Sequence, residues 1–348
     1  MNLFGNKTSS PFAATNRSSS LFNTATTPSS SITSGATTTV QNQTNPNNDI
    51  EVPQAPDDTV QALKFNPQAS GVPILLAAGA WDNTVRVWQL NEGTNTVEPK
   101  LMQNIGAPIL AVDWFDDSTK LFIASTDNQI RFWDLASNQM ITIGQHDGPL
   151  GERAYCADVI APIAIVGLSN RHIKIYRLDS QPQEVQDIES PLKFQSRAVS
   201  IFRNKLNNQP HGYALCSIEG RVAVQYMEAS QPKENFTFKC HRSAELINNY
   251  QEIYPVNDIV FHPQHNTLAT VGSDGRFCFW DKDSRSKLKN SEALPMPITK
   301  CHISPNGMIF AYAAGYDWSR GYEGNTTGGG SKIYLRSCMD DMRSKVKK

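Results

Sequence analysis

The chain has 348 residues, of which 39% are hydrophobic and 19% are charged, and this composition excludes a wholly disordered protein. Its length allows one large domain or two ordinary domains with a buried core. Lys and Arg number 32 against 33 Asp and Glu, and the resulting net charge of −1 excludes strong non-specific attraction to nucleic acid or acidic lipid. Any nucleic-acid contact must therefore come from a local patch of cations.

The cysteines and the N-terminus indicate an intracellular protein without a membrane span. The six cysteines are widely separated and form no CxxC pair, which argues against a disulfide framework and favours reduced thiols. Residues 1–12 lack a basic region followed by an apolar core, and no apolar run approaches the ~18 residues of a membrane helix. We therefore expect no membrane insertion.

Residues 1–48 are predicted to form a disordered N-terminal tail. Ser, Thr and Asn make up 27 of the first 50 residues, and only three of those 50 residues are charged. Such a segment cannot bury enough apolar surface to offset the entropy lost on ordering. Phe4, Phe12 and Phe22 are isolated apolar points that resemble FG-type adhesive sites. The alternative, that any such tail contains a few Phe residues, stays open.

After residue 55 the sequence is typical of short β-strands separated by Asp-Gly, Asn-Gly and Pro-containing turns. A turn followed by a strand that ends in Trp recurs as AWDNTVRVW (80–88), STDNQIRFW (125–133) and SDGRFCFW (273–280). Weaker copies are SNRHIKIY (169–176), IEGRVAVQ (218–225) and KIYLR (332–336). The strand-end positions 88, 133, 176, 225, 280 and 336 are 43 to 56 residues apart, which is the period of WD repeats with loop insertions. The chain is therefore predicted to be an all-β WD40 β-propeller with six recognisable four-stranded blades.

The ring needs a strand from the N-terminus to close. Because the chain ends soon after the third strand of its last blade, an open sheet edge would remain unless another strand covered it. The run DIEV (49–52) is the candidate. The propeller is accordingly assigned to residues 49–338, and residues 339–348 to a basic C-terminal tail. The inner strands are predicted at 62–65, 110–114, 198–202, 258–261 and 298–303.

Alternation along the strands assigns most of the repeat signature to the scaffold. Val85 and Val87 are predicted to pack between neighbouring blades, whereas Arg86 and Trp88 face the other side of the strand. The aromatic residues predicted to be scaffold rather than binding site are Trp81, Trp88, Trp133 and Trp280.

The sequence contains no evident catalytic or metal-binding constellation. The adjacent pairs Cys240-His241 and Cys301-His302 place their side chains on opposite sides of a strand, so neither pair can act as a nucleophile and its base. Clustered Cys and His at metal-ligand spacing, a Walker sequence and a helix-opening GxGxxG are absent from the sequence. We expect no enzymatic activity, no cofactor and no metal.

Cations next to aromatic residues in the later repeats predict a partner-binding site. Arg and Trp contribute disproportionately to interface energy, and the mixture suits an acidic peptide. Trp318 lies in the polar loop DWSRG rather than in an alternating strand. For residues 282–289 a solvated inter-strand loop is the alternative. The predicted partner-binding residues, for a protein segment or RNA, are Lys239, His241, Arg242, Arg276, Lys282, Trp318 and Arg320.

Several runs are more specific than the generic repeat. They are MNLFG (1–5), DIEV (49–52), YCADV (155–159), ESPLK (189–193), SIEGRVA (217–223), NFTFKCHR (235–242), TVGSDGRF (270–277) and YDWS (316–319). Together they resemble one family from end to end, the messenger-RNA (poly(A) RNA) export factors of the nuclear pore.

This resemblance implies a non-enzymatic scaffold at the nuclear pore complex. The family binds a GLEBS-type segment, an acidic hairpin-forming stretch of an FG nucleoporin, and it is found in the nucleus and at the nuclear envelope, with shuttling to the cytoplasm. The resemblance also implies links to mRNA and to spindle-checkpoint proteins. Two alternatives stay open: a direct single-stranded RNA-binding export adaptor, and a generic WD40 adaptor in the mitotic checkpoint or ubiquitin ligation. We expect the chain to be monomeric on its own.

The chain departs from the family in the number of repeats. The family has seven blades, and the runs HDGPL (146–150) and ERAYC (152–156), which flank a further blade in the family, are fused here at Leu150-Gly151. One repeat of ~40 residues is therefore missing. Interfaces shaped for one inter-blade angle repack poorly at a wider one, so we expect a strained six-blade ring or incomplete closure beside this junction.

Overall fold

The computed structural model describes residues 45–67, 72–91, 94, 96–145, 152–179, 181–228, 233–325 and 330–345. Within these residues 24 strands form six four-stranded antiparallel sheets, each of which is one blade. The predicted all-β propeller of six blades is therefore confirmed. A single 3₁₀ turn, Tyr322–Gly324, is the helical element of this described part, and no helix in it is long and apolar enough to cross a membrane. Residues 1–44 of the predicted tail and the Leu150-Gly151 junction lie outside the described residues.

The first three blades follow the chain in order. Blade 1 consists of β2 (Val60–Phe65), β3 (Ile74–Ala80), β4 (Thr84–Asn91) and β5 (Thr96–Asn104). Blade 2 consists of β6 (Ile109–Trp114), β7 (Lys120–Ser125), β8 (Gln129–Asp134) and β9 (Gln139–Gln145). Blade 3 consists of β10 (Ala154–Ile160), β11 (Ile163–Leu168), β12 (His172–Arg177) and β13 (Gln183–Glu189).

The remaining blades complete the ring and take in the N-terminal strand. Blade 4 consists of β14 (Ser196–Arg203), β15 (Pro210–Ser217), β16 (Arg221–Tyr226) and β17 (Phe236–Lys239). Blade 5 consists of β18 (Val256–Phe261), β19 (Leu268–Gly272), β20 (Phe277–Asp281) and β21 (Ser286–Asn290). Blade 6 consists of β22 (Ile298–Ile303), β23 (Ile309–Ala314), β24 (Lys332–Ser337) and β1 (Ile50–Glu51). The first strand of each blade is the inner one, and all five inner strands predicted from the sequence are confirmed; β10 is a sixth.

Short polar turns fix the connection between the second and third strands of each blade. The Asp82 carboxylate accepts the Thr84 N–H at 2.9 Å, and Asp274 accepts the Arg276 N–H at 3.1 Å. The following turn residue has a positive φ, which in blade 5 belongs to Gly275 (φ 70°). A Cβ atom at Gly275 would lie 2.4 Å from a backbone carbonyl oxygen, so only glycine fits this turn. The Asp-Asn and Asp-Gly pairs of the repeat are thus turn formers.

The predicted N-terminal closure is confirmed. β1 pairs antiparallel with β24, with Ile50 opposite Leu335. The Val52 N–H donates to the Ile333 carbonyl at 2.8 Å, and the Val52 side chain is buried in the core between blades 6 and 1. The N-terminal strand therefore supplies the fourth strand of the last blade and covers the edge that would otherwise be open.

A buried ion pair holds the chain just before β1. Arg336 donates to the Asp49 carboxylate at 2.8 Å, and the Tyr312 hydroxyl donates to its other oxygen at 2.6 Å. Burial raises the pKa of Asp49, although the bonds to Tyr312 and Arg336 act in the opposite direction. Asn47 also accepts the Glu292 N–H at 3.0 Å. Ordered contacts thus begin a few residues before the predicted boundary at residue 49.

The C-terminal segment is packed on the ring rather than free. Met342 is fully buried in the core between blades 5 and 6, and its carbonyl accepts the Thr267 hydroxyl at 2.8 Å. Asp341 accepts Lys289 at 2.7 Å and Arg336 at 3.2 Å. Residues 339–344, assigned from the sequence to a basic tail, therefore belong to the propeller body.

Neighbouring blades pack through apolar side chains, as the alternation predicted. Val85 and Val87 are fully buried against blade 2. Trp88, on the other face of β4, is fully buried against blade 6, and its indole N–H donates to the Pro53 carbonyl at 2.8 Å. Trp133 is likewise buried and donates to Asn138 at 3.0 Å. These residues are scaffold, as predicted.

A hydrogen-bonded chain of four side chains holds the loop between blades 4 and 5. The Trp280 indole N–H donates to the Thr270 hydroxyl at 3.0 Å, and this hydroxyl lies 2.9 Å from His241 Nε2. His241 Nδ1 lies 2.8 Å from the Asp274 carboxylate. Each member has its partner, so the buried network fastens the entry of blade 5 to its second, third and turn segments.

The ring is open between blades 2 and 3. Apolar core clusters join blades 6 and 1, 1 and 2, 3 and 4, 4 and 5, and 5 and 6, and the inner strands of these pairs lie side by side. Among the described residues, no such cluster joins blades 2 and 3, and β6 and β10 make no comparable contact. Of the two outcomes expected beside the fused junction, incomplete closure is the one observed.

Shortening Val52 to Ala tests the N-terminal closure. This substitution leaves a cavity in the core between blades 6 and 1, so we expect the free energy of unfolding to fall by about 2 kcal/mol. The neighbouring Glu51 is exposed and pairs with Lys332 at the surface, so Glu51→Ala should cost less than about 0.5 kcal/mol. Chemical denaturation measures both, and equal effects would contradict a structural role for the strand.

Replacing His241 by Ala tests the four-residue network. The substitution removes one hydrogen-bond partner from Thr270 and one from Asp274 in a buried site, so we expect a loss of about 2 to 4 kcal/mol in unfolding free energy. His172 contacts Asp187 at an exposed position, and His172→Ala should cost less than about 1 kcal/mol. Thermal melts of the two variants would show similar midpoints if His241 were not structural.

Candidate partner-docking face

We call the upper face the end of the ring at which the inner strands begin and the second and third strands of each blade are connected. Lys239 ends β17, Arg242 follows it, and Arg276 directly precedes β20. Trp318 and Arg320 lie in the connection between β23 and β24. These five of the seven predicted residues therefore share the upper face of blades 4, 5 and 6.

Lys282 lies at the opposite end of the ring. It directly follows β20, whereas Arg276 directly precedes that strand. Its side chain is buried, with the ammonium group 4.6 Å from the centre of the Phe202 ring and 5.7 Å from that of Tyr226. Asp283 accepts a hydrogen bond from it at 2.5 Å. Lys282 is thus engaged in cation–π and ionic contacts within the fold. Because it lies on the lower face, it is remote from the predicted residues of the upper face.

His241 lies at the upper face but beneath its surface. Its side chain is buried and both ring nitrogens face partners in the network with Thr270 and Asp274. Its side chain is therefore covered by the fold. Neither His241 nor Lys282 is therefore placed where a docked partner would touch it.

Two half-buried arginines of the upper face are held by backbone carbonyls. Arg242 donates to the Glu219 carbonyl at 3.0 Å, and Arg276 donates to the Ser291 carbonyl at 2.5 Å. Arg276 also lies 3.9 Å from the exposed carboxylate of Glu292. Because carbonyl oxygens orient a guanidinium without neutralising it, these cations retain charge for an acidic partner.

A hairpin beside these cations exposes apolar side chains. The connection between blades 4 and 5 folds back on itself at Asn248-Asn249, where both residues have positive φ, and Ile247 and Tyr250 exchange backbone hydrogen bonds of 2.9 and 3.0 Å. The Tyr250 side chain is 77% exposed, and three neighbours are also exposed. Those neighbours are Leu246, Ile247 and Ile253. Sequence reasoning missed this group, although an Asn-Asn pair between apolar residues is a hairpin signal.

Aromatic residues and cations line the upper mouth of the central channel. Trp318 has a positive φ of 58°, is 43% exposed and lies 5.6 Å from the Tyr316 ring, centre to centre. Trp81 and Tyr155 face the same cavity of about 490 Å³. Its lining also includes Arg197 and Lys300.

Two of these mouth residues differ from the sequence interpretation. Trp81 was assigned to the scaffold but is 41% exposed, because it lies in the turn before the signature strand rather than in the strand. Tyr155 was noted only as part of a family run. Its position at the start of an inner strand was the signal that could have placed it at the channel mouth.

Three of the four residues in the Cys and His pairs considered for catalysis are buried, and His302 is half-buried. Burial raises the pKa of the Cys240 and Cys301 thiols well above their usual value. Burial also lowers the pKa of His302 well below its usual value. The thiols are therefore protonated and the imidazole is neutral at physiological pH. Among the described residues, no group of three or more His, Cys, Asp or Glu is arranged to hold a metal ion.

Comparison with family models identifies the repeat. Residues 50–89, 100–134 and 233–281 match the WD domain, G-beta repeat. The first match spans β1 and the first three strands of blade 1, and the second spans the end of β5 and the first three strands of blade 2. The last covers β17, the loop into blade 5 and the first three strands of blade 5.

Animal proteins of known name are similar along nearly their whole length. The mRNA export factor rae-1 of Caenorhabditis elegans is 50% identical, with 90% of this chain and 95% of the relative aligned. Protein Rae1 of Drosophila melanogaster is 47% identical, with 87% and 98% aligned, and the mRNA export factor of Sus scrofa is 45% identical, with 90% and 95% aligned.

The alignment with the nematode protein also bears on the missing repeat. It extends over 357 positions, more than the 348 residues of this chain, although only 90% of this chain takes part. The relative therefore has about 44 aligned positions without a counterpart here, which is close to the length of one WD repeat. Identity at this level over nearly the full length of both partners places the chain in the family of WD-repeat mRNA export factors.

Proposed function

We propose that this chain is a non-enzymatic docking protein for mRNA export, and that the upper face of blades 4 to 6 binds a GLEBS-type segment of an FG nucleoporin at the nuclear pore. The observation that carries the proposal is the exposed apolar hairpin around Tyr250, which lies in the same connection as Arg242; Arg242 and Ile253 form a β-bridge at its base. The names of the relatives support the export role, and a protein acting there would be found in the nucleus and at the nuclear envelope.

The chemistry of this face suits an acidic, partly apolar segment. Exposed apolar side chains on one loop stabilise an interface when a partner excludes water from them. Tyr is an effective anchor because its ring is large and has few rotamers. Cations at the rim pair with carboxylates and set the orientation of the segment. Arg242 lies in the same connection as the hairpin and forms a bridge with Ile253 at its base, so a segment docked on the hairpin would meet this cation.

The face is also built on rigid supports. The His241 network fixes the loop from which the hairpin projects, and the Asp274 turn fixes Arg276. A preformed face loses little conformational entropy when a partner binds. This supports an interaction scaffold, and spindle-checkpoint segments of the same acidic type would fit the same face.

A second candidate function, single-stranded RNA binding, is favoured by the channel mouth. Trp81, Tyr155 and Trp318 expose ring faces around one cavity, and bases stack on such rings without sequence preference. Arg197 and Lys300 in the same lining would pair with phosphates. Nothing comparable favours a generic WD40 adaptor of the mitotic checkpoint or ubiquitin ligation.

Substitutions at the hairpin and its neighbouring cation test the nucleoporin proposal. Tyr250→Ala removes the apolar anchor and Lys239→Glu opposes an acidic segment, so each should weaken binding of a GLEBS-type segment at least about tenfold. Matched changes on the lower face, Leu206→Ala and Lys205→Glu, alter equally exposed residues and should leave affinity unchanged. Calorimetric titration of the full chain measures all four, and equal losses on the two faces would rule out the assigned site.

Salt and aromatic substitutions separate RNA from peptide binding. Raising salt from about 50 to 200 mM should weaken RNA binding by orders of magnitude through counterion release, whereas an apolar-anchored peptide loses far less. Trp318→Ala should lower single-stranded RNA affinity about tenfold or more through lost stacking. Tyr322, an exposed aromatic residue of the same loop, provides the control Tyr322→Ala. Fluorescence anisotropy with a labelled oligonucleotide gives the affinities, and salt-independent binding would exclude a phosphate-directed site.

A further inference from the structure

The opening between blades 2 and 3 leaves bare a pair of side chains that every other blade buries. These side chains stand three and one positions before the strand-end residue of each repeat, and they face the following blade. In blade 2 they are Ile130, which is 41% exposed, and Phe132, which is half-buried. The matching pairs in the other five blades are all buried. They are Val85 and Val87, Ile173 and Ile175, Val222 and Val224, Phe277 and Phe279, and Ile333 and Leu335.

The other wall of the opening is bare at the matching position of blade 3. Val159 of β10 lies opposite Ala164, which lies opposite the strand-end residue Tyr176. Residues in the same register in the other blades pack against the preceding blade and are buried. They are Phe65, Trp114, Ile201, Phe261 and Ile303. Val159 is instead 55% exposed. The chain therefore exposes both halves of one blade-to-blade joint.

The wall of blade 2 extends beyond this pair as an apolar surface. Ile141 lies opposite Phe132 in the sheet and is exposed, and Phe122 lies opposite Phe132 on the other side. The exposed ring of Phe115 stacks on Phe122 with 4.5 Å between ring centres. A contiguous apolar patch of this kind on a soluble protein marks an interaction surface.

We propose that two copies of this chain associate through the opening, with blade 2 of each copy packed against blade 3 of the other. Ile130 and Phe132 of one copy would cover Val159 of its partner, and the two-fold symmetry would form the same joint a second time. An isologous dimer of this kind covers the two bare walls of each copy. It does so with two copies of the apolar blade-to-blade contact that the chain already makes five times within itself. This departs from the monomer expected from the sequence.

Charge does not oppose the association. The net charge of −1 gives negligible repulsion between copies. On blade 3 the charges nearest the wall are paired within the blade, with Lys174 2.8 Å from Glu184 and His172 2.6 Å from Asp187. A second copy can therefore approach the wall without leaving those groups as unpaired charges. A partner of strong charge has no such match here, since the charged groups at the blade 3 wall already pair with one another.

Charge substitutions on the two walls test the proposal. Sedimentation velocity of the full wild-type chain should show a dimer at micromolar concentration. Ile130→Lys and Val159→Glu each place a charge in both joints of a homodimer, so each variant should dissociate at least about a hundredfold more readily. An equimolar mixture of the two variants should recover the dimer, because one joint then pairs Lys with Glu and the other is unaltered.

Control variants and alternative outcomes locate the contact. Both substituted residues are exposed in the single chain, and a cooperative melt at the wild-type temperature verifies folding. Leu206→Lys and Leu206→Glu place the same charges on the lower face and should leave the dimer intact. A wild-type chain that stays monomeric at all concentrations overturns the proposal in favour of coverage by the chain's own N-terminal segment or by another protein. A dimer that survives both wall variants, or no recovery in the mixture, also overturns it.

Discussion

Each blade of this ring is a thin sheet with apolar side chains on both faces, and each face needs a neighbouring blade to exclude water from it. The strand-end Trp or its equivalent faces one neighbour, and the branched or aromatic pair just before it faces the other. Burying a side chain of this size stabilises the fold by about 1.5 to 3 kcal/mol, so a blade that loses a neighbour loses a substantial part of its core. A repeat protein on this plan must either close into a ring or leave two walls bare. Both outcomes occur in this chain: the pairing of β1 with blade 6 closes one end of the ring, and the opening between blades 2 and 3 leaves two walls exposed.

The same arrangement decides which side chains are free to bind. Strands run between the two faces of the ring, so a residue before a strand and a residue after it lie on opposite faces. Arg276 and Lys282 flank β20 in this way, and only the first lies on the same face of the ring as the hairpin of Tyr250. The hydrogen-bonding groups of polar residues close to the sheets, such as His241, are occupied by partners in networks that hold loops in position. Binding is left to the tips of the connections, which project beyond those networks.

The repeat period and alternation were enough to predict the blades, five of the six inner strands and the N-terminal closure, whereas the place where the ring fails to close followed from the resemblance to the seven-bladed family. They could not predict burial outside the strands. Lys282 and His241 lie in stretches rich in cations and aromatic residues, and such a composition suits a binding site as well as a scaffold. A scaffold role is recognised only from the end of the strand at which Lys282 lies and from the hydrogen-bond partners of His241. A strand length of five residues between Arg276 and Lys282 already implied opposite faces. Met342 was missed because a lone apolar residue among charges carries no period, and its burial depends on a groove formed by two blades distant in sequence.

The position of the opening bears on the two candidate functions differently. Lys239, Arg276 and Trp318 lie on blades 4, 5 and 6, which are joined in succession by intact apolar cores, so the docking face does not depend on closure elsewhere in the ring. The channel mouth draws Trp81 from blade 1 and Tyr155 from blade 3, and these two blades lie on either side of blade 2 and the opening. Its geometry therefore depends on how far blades 2 and 3 stand apart. A chain that lacks one repeat is better suited to keep a function carried by the continuous arc of blades 4 to 6 than one carried by the mouth of the whole ring.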